Sequence, residues 1–106
     1  MSYYTFNGTK IITKEIKDKL PKSLINYLWK LVDNLKTDID LPMDYLQVFE
    51  IKTEDKKGIN NLLITHIQEV PPYVKIHLLK KNFNINGRIY IIDDVEHVTM
   101  LWSYEY

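Results

Sequence analysis

Lys22-Ser23-Leu24-Ile25-Asn26-Tyr27-Leu28-Trp29-Lys30-Leu31-Val32-Asp33-Asn34-Leu35-Lys36 is the stretch on which the fold turns. Its apolar residues Leu24, Ile25, Leu28, Leu31, Val32 and Leu35 recur at spacings of three and four, so a helix gathers them into one stripe. Trp29 flanks that stripe and Tyr27 lies further round, while Asp33 and Lys36 fall on the other side. Pro21, just before, suits a first helical position, because the N–H it lacks is one the first turn leaves unused. An amphipathic stripe of this size is unstable alone in water and has to lie on something.

The rest of the chain supplies strands for it to lie on. Upstream, Asn7-Gly8 reads as a turn, and Thr9–Thr13 carries β-branched residues at four of five positions, a strand signal. Ile16–Leu20 carries no decisive pattern. Downstream, Thr37–Asp44 holds three aspartates and Pro42, which is loop chemistry. Tyr45–Thr53 reads as a strand, with Glu54–Gly58 as its hairpin tip. In Leu62–Gln68, alternation sets Leu62, Ile64 and His66 against Leu63, Thr65 and Ile67. Pro71-Pro72 stops pairing, since neither can donate to a ladder. Tyr73–Leu79 sets Val74, Ile76 and Leu78 against Tyr73, Lys75 and His77. Asn84–Gly87 turns the chain into the strand Arg88–Asp93. An acidic turn, Asp93–Glu96, leads to His97–Tyr104. Short connections favour antiparallel pairing, so the expected class is α+β: a single antiparallel sheet of about five to six strands. One amphipathic helix, about residues 22–36, packs on one face. Residues 1–106 form a single domain on this reading, and the second sheet face is partly wet or covered by a partner.

Composition narrows the functions. The chain has 106 residues, 14 basic and 14 acidic side chains and no cysteine. An apolar share of 45% with 12% aromatics excludes disorder. Lacking cysteine, it has no disulfide, no thiolate zinc site and no cysteine nucleophile. Zero net charge gives no overall attraction to nucleic acid or an acidic membrane. Arg88 is the lone arginine, which leaves little scope for bidentate reading of phosphates or guanines. No secretory pattern opens the chain, and apolar runs such as Ile89–Ile92 fall far short of a membrane span, so a cytoplasmic protein is expected. No cofactor motif is present: the glycines are too isolated for a phosphate loop, and no serine stands in a nucleophile elbow.

Leu28–Asp33, Asp44–Glu50, Gln68–Tyr73, and Ile91–Asp94 leading to Thr99–Leu101 and Glu105-Tyr106 together resemble the domain of unknown function 960 family, small proteins of Firmicutes and their phages, plasmids and genomic islands. The likeness covers most of the chain in order. It implies a phage or mobile-element setting and carries no activity or functional residues. Small proteins of such origin are frequently inhibitors of host machinery or of immune systems.

Three readings of function follow from the side chains. Aromatic residues crowd the two ends: Tyr3, Tyr4 and Phe6, then Trp102, Tyr104 and Tyr106. These are types enriched in interface cores, although chain termini are ordinarily frayed and polar; the rings either pack on the sheet's open face or form a contact surface, with core completion the favoured reading for Trp102 and both readings open for the tyrosines. They fit a non-enzymatic interaction protein that binds and inhibits a host protein, with a defence or CRISPR component tested first; a homodimer is a further expected use of a free strand edge. The second reading is a nucleotide or nucleic-acid binding module, such as a sponge for a signalling nucleotide. It uses Tyr73, Lys75, His77, Lys80, Lys81 and Arg88 as a stacking and phosphate surface. The third is a metal-dependent enzyme on Asp93, Asp94 and His97, set against a plain solvated turn in which Asp93 bonds nearby backbone amides. A second basic cluster, Lys10, Lys14, Lys17, Lys19 and Lys22, is interrupted by Glu15 and Asp18.

Overall fold

A computed structural model describes residues 4–56 and 59–106, the side chains at 56, 59 and 60 aside. Tyr3 and the hairpin-tip residues Lys57-Gly58 lie outside the described residues. In chain order the elements are β1 (Thr9–Ile12), α1 (Lys14–Lys19), α2 (Lys22–Lys36), β2 (Leu46–Lys56), β3 (Ile59–Gln68), β4 (Tyr73–Leu79), β5 (Gly87–Asp93) and β6 (His97–Trp102), closed by a 3₁₀ turn over Ser103–Glu105.

The strands form one six-stranded sheet in the order β1-β6-β5-β2-β3-β4. It is mixed, which corrects the purely antiparallel expectation: β1 runs parallel to β6, with Thr9 opposite His97 and Ile12 opposite Met100. The other pairs are antiparallel: β2–β3, β3–β4 and β5–β6 are joined by short turns, while β5 returns beside β2 after the β3–β4 excursion. Nearly the whole chain separates β1 from β6, so no short turn constrains their direction. At Gly8 the backbone passes so close to β6 that an added Cβ would lie 2.7 Å from the Glu96 carbonyl oxygen.

Ile16–Leu20, featureless in the sequence, belongs mostly to α1. Thr13 caps this short helix, its hydroxyl accepting from the Ile16 amide at 3.3 Å. Two i,i+4 ion pairs, Lys14–Asp18 at 2.9 Å and Lys19–Glu15 at 2.7 Å, lace it. Pro21 sits one position earlier than expected, as the cap of α2 and not its first helical residue.

Helix α2 lays its stripe on one sheet face, and Leu24, Ile25, Leu28, Leu31, Val32 and Leu35 are all buried there. Opposite them stand Phe49 and Ile51 of β2, Leu62 and Ile64 of β3, Ile89 and Ile91 of β5, and Val98 and Met100 of β6, all buried. Each such side chain removed from water contributes roughly 1.5–3 kcal/mol before entropy is counted. Among the described residues the second sheet face carries no helix. On β4 the more apolar set points to that bare side: Val74, Ile76 and Leu78 are 65%, 64% and 53% exposed, while Tyr73, Lys75, His77 and Leu79 turn toward the helix side.

Candidate functional site

Register builds the bare face from the strands upward. Directly paired residues share a face, so one row crosses five strands as Val74, Ile67, Val48, Tyr90 and Leu101. A second row runs Leu46, Ile92, Thr99 and Ile11. Two exposed β4 residues, Ile76 and Leu78, stand beside Thr65 and Leu63. A cleft of about 290 Å³ opens on this side over Leu46, Val48 and Ile67, with Glu50, Glu69 and Arg88 at its rim.

Tyrosines from distant parts of the chain edge this surface. The Tyr4 and Tyr45 ring centroids lie 5.9 Å apart, and Tyr106 meets Tyr90 edge-on at 5.7 Å. Tyr45 also interacts with Tyr106, whose neighbouring charge first, and hydrogen bond second, raise the Tyr45 phenol above its ordinary range. A phenol presents apolar area and a polar tip at low entropic cost, which suits a surface that is wet when free and dry when bound.

Of the six aromatic candidates at the chain ends, the five that lie among the described residues divide. Phe6 is 1% exposed and Trp102 is 5% exposed, so both are core residues and cannot present a ring to a partner. Gly87 permits this for Trp102, since a Cβ there would lie 2.8 Å from the indole ring. Tyr104 is exposed but stacks on Trp102 at 5.9 Å, with Lys19 donating to its hydroxyl and that hydroxyl donating to Glu15. Tyr4 and Tyr106 stay with the bare face. Tyr45 and Tyr90, which end-focused reading missed, join them; their signal was strand phase, because Tyr90 alternates with the buried Ile89 and Ile91.

The nucleotide candidates divide as well. Tyr73, Lys75 and His77 line a cleft of about 300 Å³ on the helix side, together with His66, Asn34 and Asp38. Arg88 projects from the opposite face and is paired with Glu50 at 3.0 Å. Lys80 and Lys81 follow the end of β4 and are exposed. Behind the cleft lies a buried polar network that the sequence reading did not single out. Gln47 Nε2 donates to Gln68 Oε1 at 2.6 Å and to the Asp44 carbonyl at 3.0 Å. Gln68 Nε2 donates to the Pro42 and Pro71 carbonyls. With its amide nitrogen committed, Gln47 offers Oε1 to His66 Nε2 at 2.7 Å, which makes that ring nitrogen the protonated one. His66 is stacked on Phe49 at 4.3 Å, and burial, with a smaller contribution from His77, lowers its pKa to about 4. The signal for this network was two glutamines in phase with buried strand residues, Gln47 with Phe49 and Gln68 with Ile64.

The acidic turn is an anchor for the chain's own backbone. Asp93 is buried; its Oδ2 accepts from the Phe6 amide at 2.9 Å and its Oδ1 from the Val95 amide at 2.8 Å. Asp94 Oδ1 accepts from the His97 amide at 2.7 Å. Phe6 has a positive φ of 53°, a strained conformation that the Asp93 bond and a Lys36 bond to the Phe6 carbonyl hold in place. Among the described residues no three histidine, aspartate or glutamate side chains come together as a metal site; His97 reaches only Asp94, at 3.9 Å. Asp93→Ala is expected to cost about 2–3 kcal/mol by stripping two amides of a charged acceptor. Urea unfolding without added metal reads this directly, and unchanged stability would remove the anchoring role.

Comparison with known proteins places the chain without giving it an activity. The family model described as Staphylococcal protein of unknown function (DUF960) matches residues 9–105. No curated protein matches. A crystal structure of a protein of unknown function from Enterococcus faecalis is similar, with a TM-score of 0.69 over 100% of this chain and 97% of that one at 18% identity. That likeness is one of fold.

Proposed function

The chain belongs to the DUF960 family, and on that footing we propose that it is a non-enzymatic interaction protein whose bare sheet face engages a protein partner. The observation that carries this reading is the exposure of Val74, Ile76 and Leu78 in a row continuous with Ile67, Val48 and Tyr90. Isolated exposed apolar side chains are normal, whereas a contiguous apolar face edged by tyrosines marks a contact surface. In a phage or mobile-element setting, such as the family resemblance implies, the partner is a host protein and a defence component such as a CRISPR effector is the first to test. Occlusion requires no catalytic group.

Capture from a host lysate with tagged full-length protein tests the surface. Val74→Lys combined with Ile76→Lys places two charges where a partner would desolvate them. Captured partner should fall by about tenfold or more, while the exposed sites leave the fold intact. Equal capture by the folded variant overturns the assignment.

A second reading, a nucleotide or nucleic-acid module, draws support from the cleft that gathers Tyr73, Lys75 and His77. Asp38 in the same cleft and the removal of Arg88 to the other face weigh against it. A thermal-shift screen with nucleotides and oligonucleotides separates the two, since ligand that binds only the native state raises the melting temperature.

A further inference from the structure

The outer edge of β1 faces a groove that the sheet-face reading does not use. Thr9 donates to the Glu96 carbonyl at 3.0 Å and Thr13 to the Met100 carbonyl at 3.2 Å. Backbone groups alternate sides along a strand, so those of Lys10 and Ile12 turn outward, away from β6. Next to them, between β1, α1 and the first half of α2, lies a groove of about 560 Å³. Ile12, Leu20, Ile25 and Trp29 give it an apolar lining, with Ile12 and Trp29 only half-buried.

Charge at this groove is one-sided. Of the N-terminal lysine cluster, Lys14 and Lys19 are paired within α1, and Lys10 is paired with Asp33 at 3.0 Å while lying 5.5 Å over the Trp29 ring. Lys17 and Lys22 both stand at the groove, both are exposed, and neither has an ion pair among the described residues. Three features thus meet at one place: a strand edge unpaired among the described residues, an apolar trough beside it, and two ammonium groups with no ion pair among those residues.

We propose that this groove docks an extended acidic peptide segment of a partner protein, added antiparallel or parallel to β1 as a seventh strand. Backbone hydrogen bonds to Lys10 and Ile12 supply register, and a central apolar side chain on the inward face enters the trough over Trp29. Glutamate or aspartate two residues to either side shares that inward face and neutralises Lys17 and Lys22. An anionic lipid chain would satisfy the trough and one lysine but would leave the strand edge unpaired. The site lies at the opposite edge of the sheet from β4 and stands whatever the bare face binds.

The test uses the full chain and a fluorescein-labelled seven-residue peptide with leucine at its centre, glutamate two residues to either side and threonine elsewhere, read by anisotropy; leucine and both glutamates then share one face of the strand. Saturable binding is expected, weakened about tenfold or more by Lys17→Glu combined with Lys22→Glu, and likewise by N-methylation of the peptide amides that face β1. Those two lysines are exposed, and an unchanged unfolding midpoint confirms that the variant is folded. Four results each overturn the proposal: no saturable binding, equal binding by the variant, equal binding of a peptide with lysine in place of glutamate, or binding of laurate with none of the peptide. Binding that survives N-methylation undiminished overturns the strand addition.

Discussion

Phe49→Ala is expected to lower stability by about 3–5 kcal/mol, a large share of the roughly 5–15 kcal/mol that holds a domain folded. Phe49 lies on β2, which is flanked by β5 on one side and β3 on the other, and its side chain is 0% exposed. Its strand partners are Ile89 and His66, and its ring stacks on the His66 imidazole. Strands hydrogen-bonded on both sides cannot slide inward to fill the space a lost ring leaves, so the cavity term adds to the lost transfer energy. The vacated space also borders the Gln47–His66 bond, which loses its apolar wall. Urea unfolding should show a lower midpoint with an unchanged slope. Ile76→Ala is the companion measurement: at 64% exposure on the bare face it should change stability by no more than about 0.5 kcal/mol. A cost at Ile76 equal to that at Phe49 would mean that the face taken as bare is core.

Acid should weaken the fold through the same neighbourhood. Burial holds the His66 pKa at about 4, against 6.5 for an unperturbed histidine. Between those values the unfolded chain binds a proton that the folded chain refuses, so stability falls as pH drops from about 6.5 to about 4 and levels off below. The full effect is about 3 kcal/mol, from a shift of that size at about 1.4 kcal/mol per unit. His77 acts in the same direction, its pKa lowered by burial first and by Lys75 second. Unfolding midpoints across that range should therefore slope steeply in the parent protein. His66→Gln, which cannot titrate, should flatten the slope even where it lowers stability overall. An unchanged slope in that variant would show that other groups carry the acid response.

What the sequence could and could not disclose follows from the physics of each element. The α2 stripe, the β4 span and the strand-and-turn order were readable because period and punctuation are local properties. α1 was not, since six residues give too little periodicity; its marks were a capping threonine and two i,i+4 charge pairs. The parallel β1–β6 pairing joins the two ends of the chain, and no local pattern encodes it. On β4, alternation separated Val74, Ile76 and Leu78 from Tyr73, Lys75 and His77 but could not say which set meets the helix. Register against β3 decides that, by setting Val74 beside Ile67 and Ile76 beside Thr65. The aromatic ends were legible only in part: a core role was readable for Trp102, but not that Phe6 fills the core too while Tyr45 and Tyr90 come from mid-chain to join Tyr4 and Tyr106. The acidic turn carried both a metal reading and a backbone-anchoring one, and the Asp93 bonds to Phe6 and Val95 fit the second.

Site-specific photo-cross-linking tests most directly whether the bare sheet face is the contact surface. A benzophenone side chain at position 76 stands on the bare face; one at position 30 stands on the exposed side of α2, away from the sheet. With host lysate, a discrete cross-linked partner is expected from position 76 and none from position 30. The same partner cross-linked from position 30, with position 76 silent, would contradict that assignment.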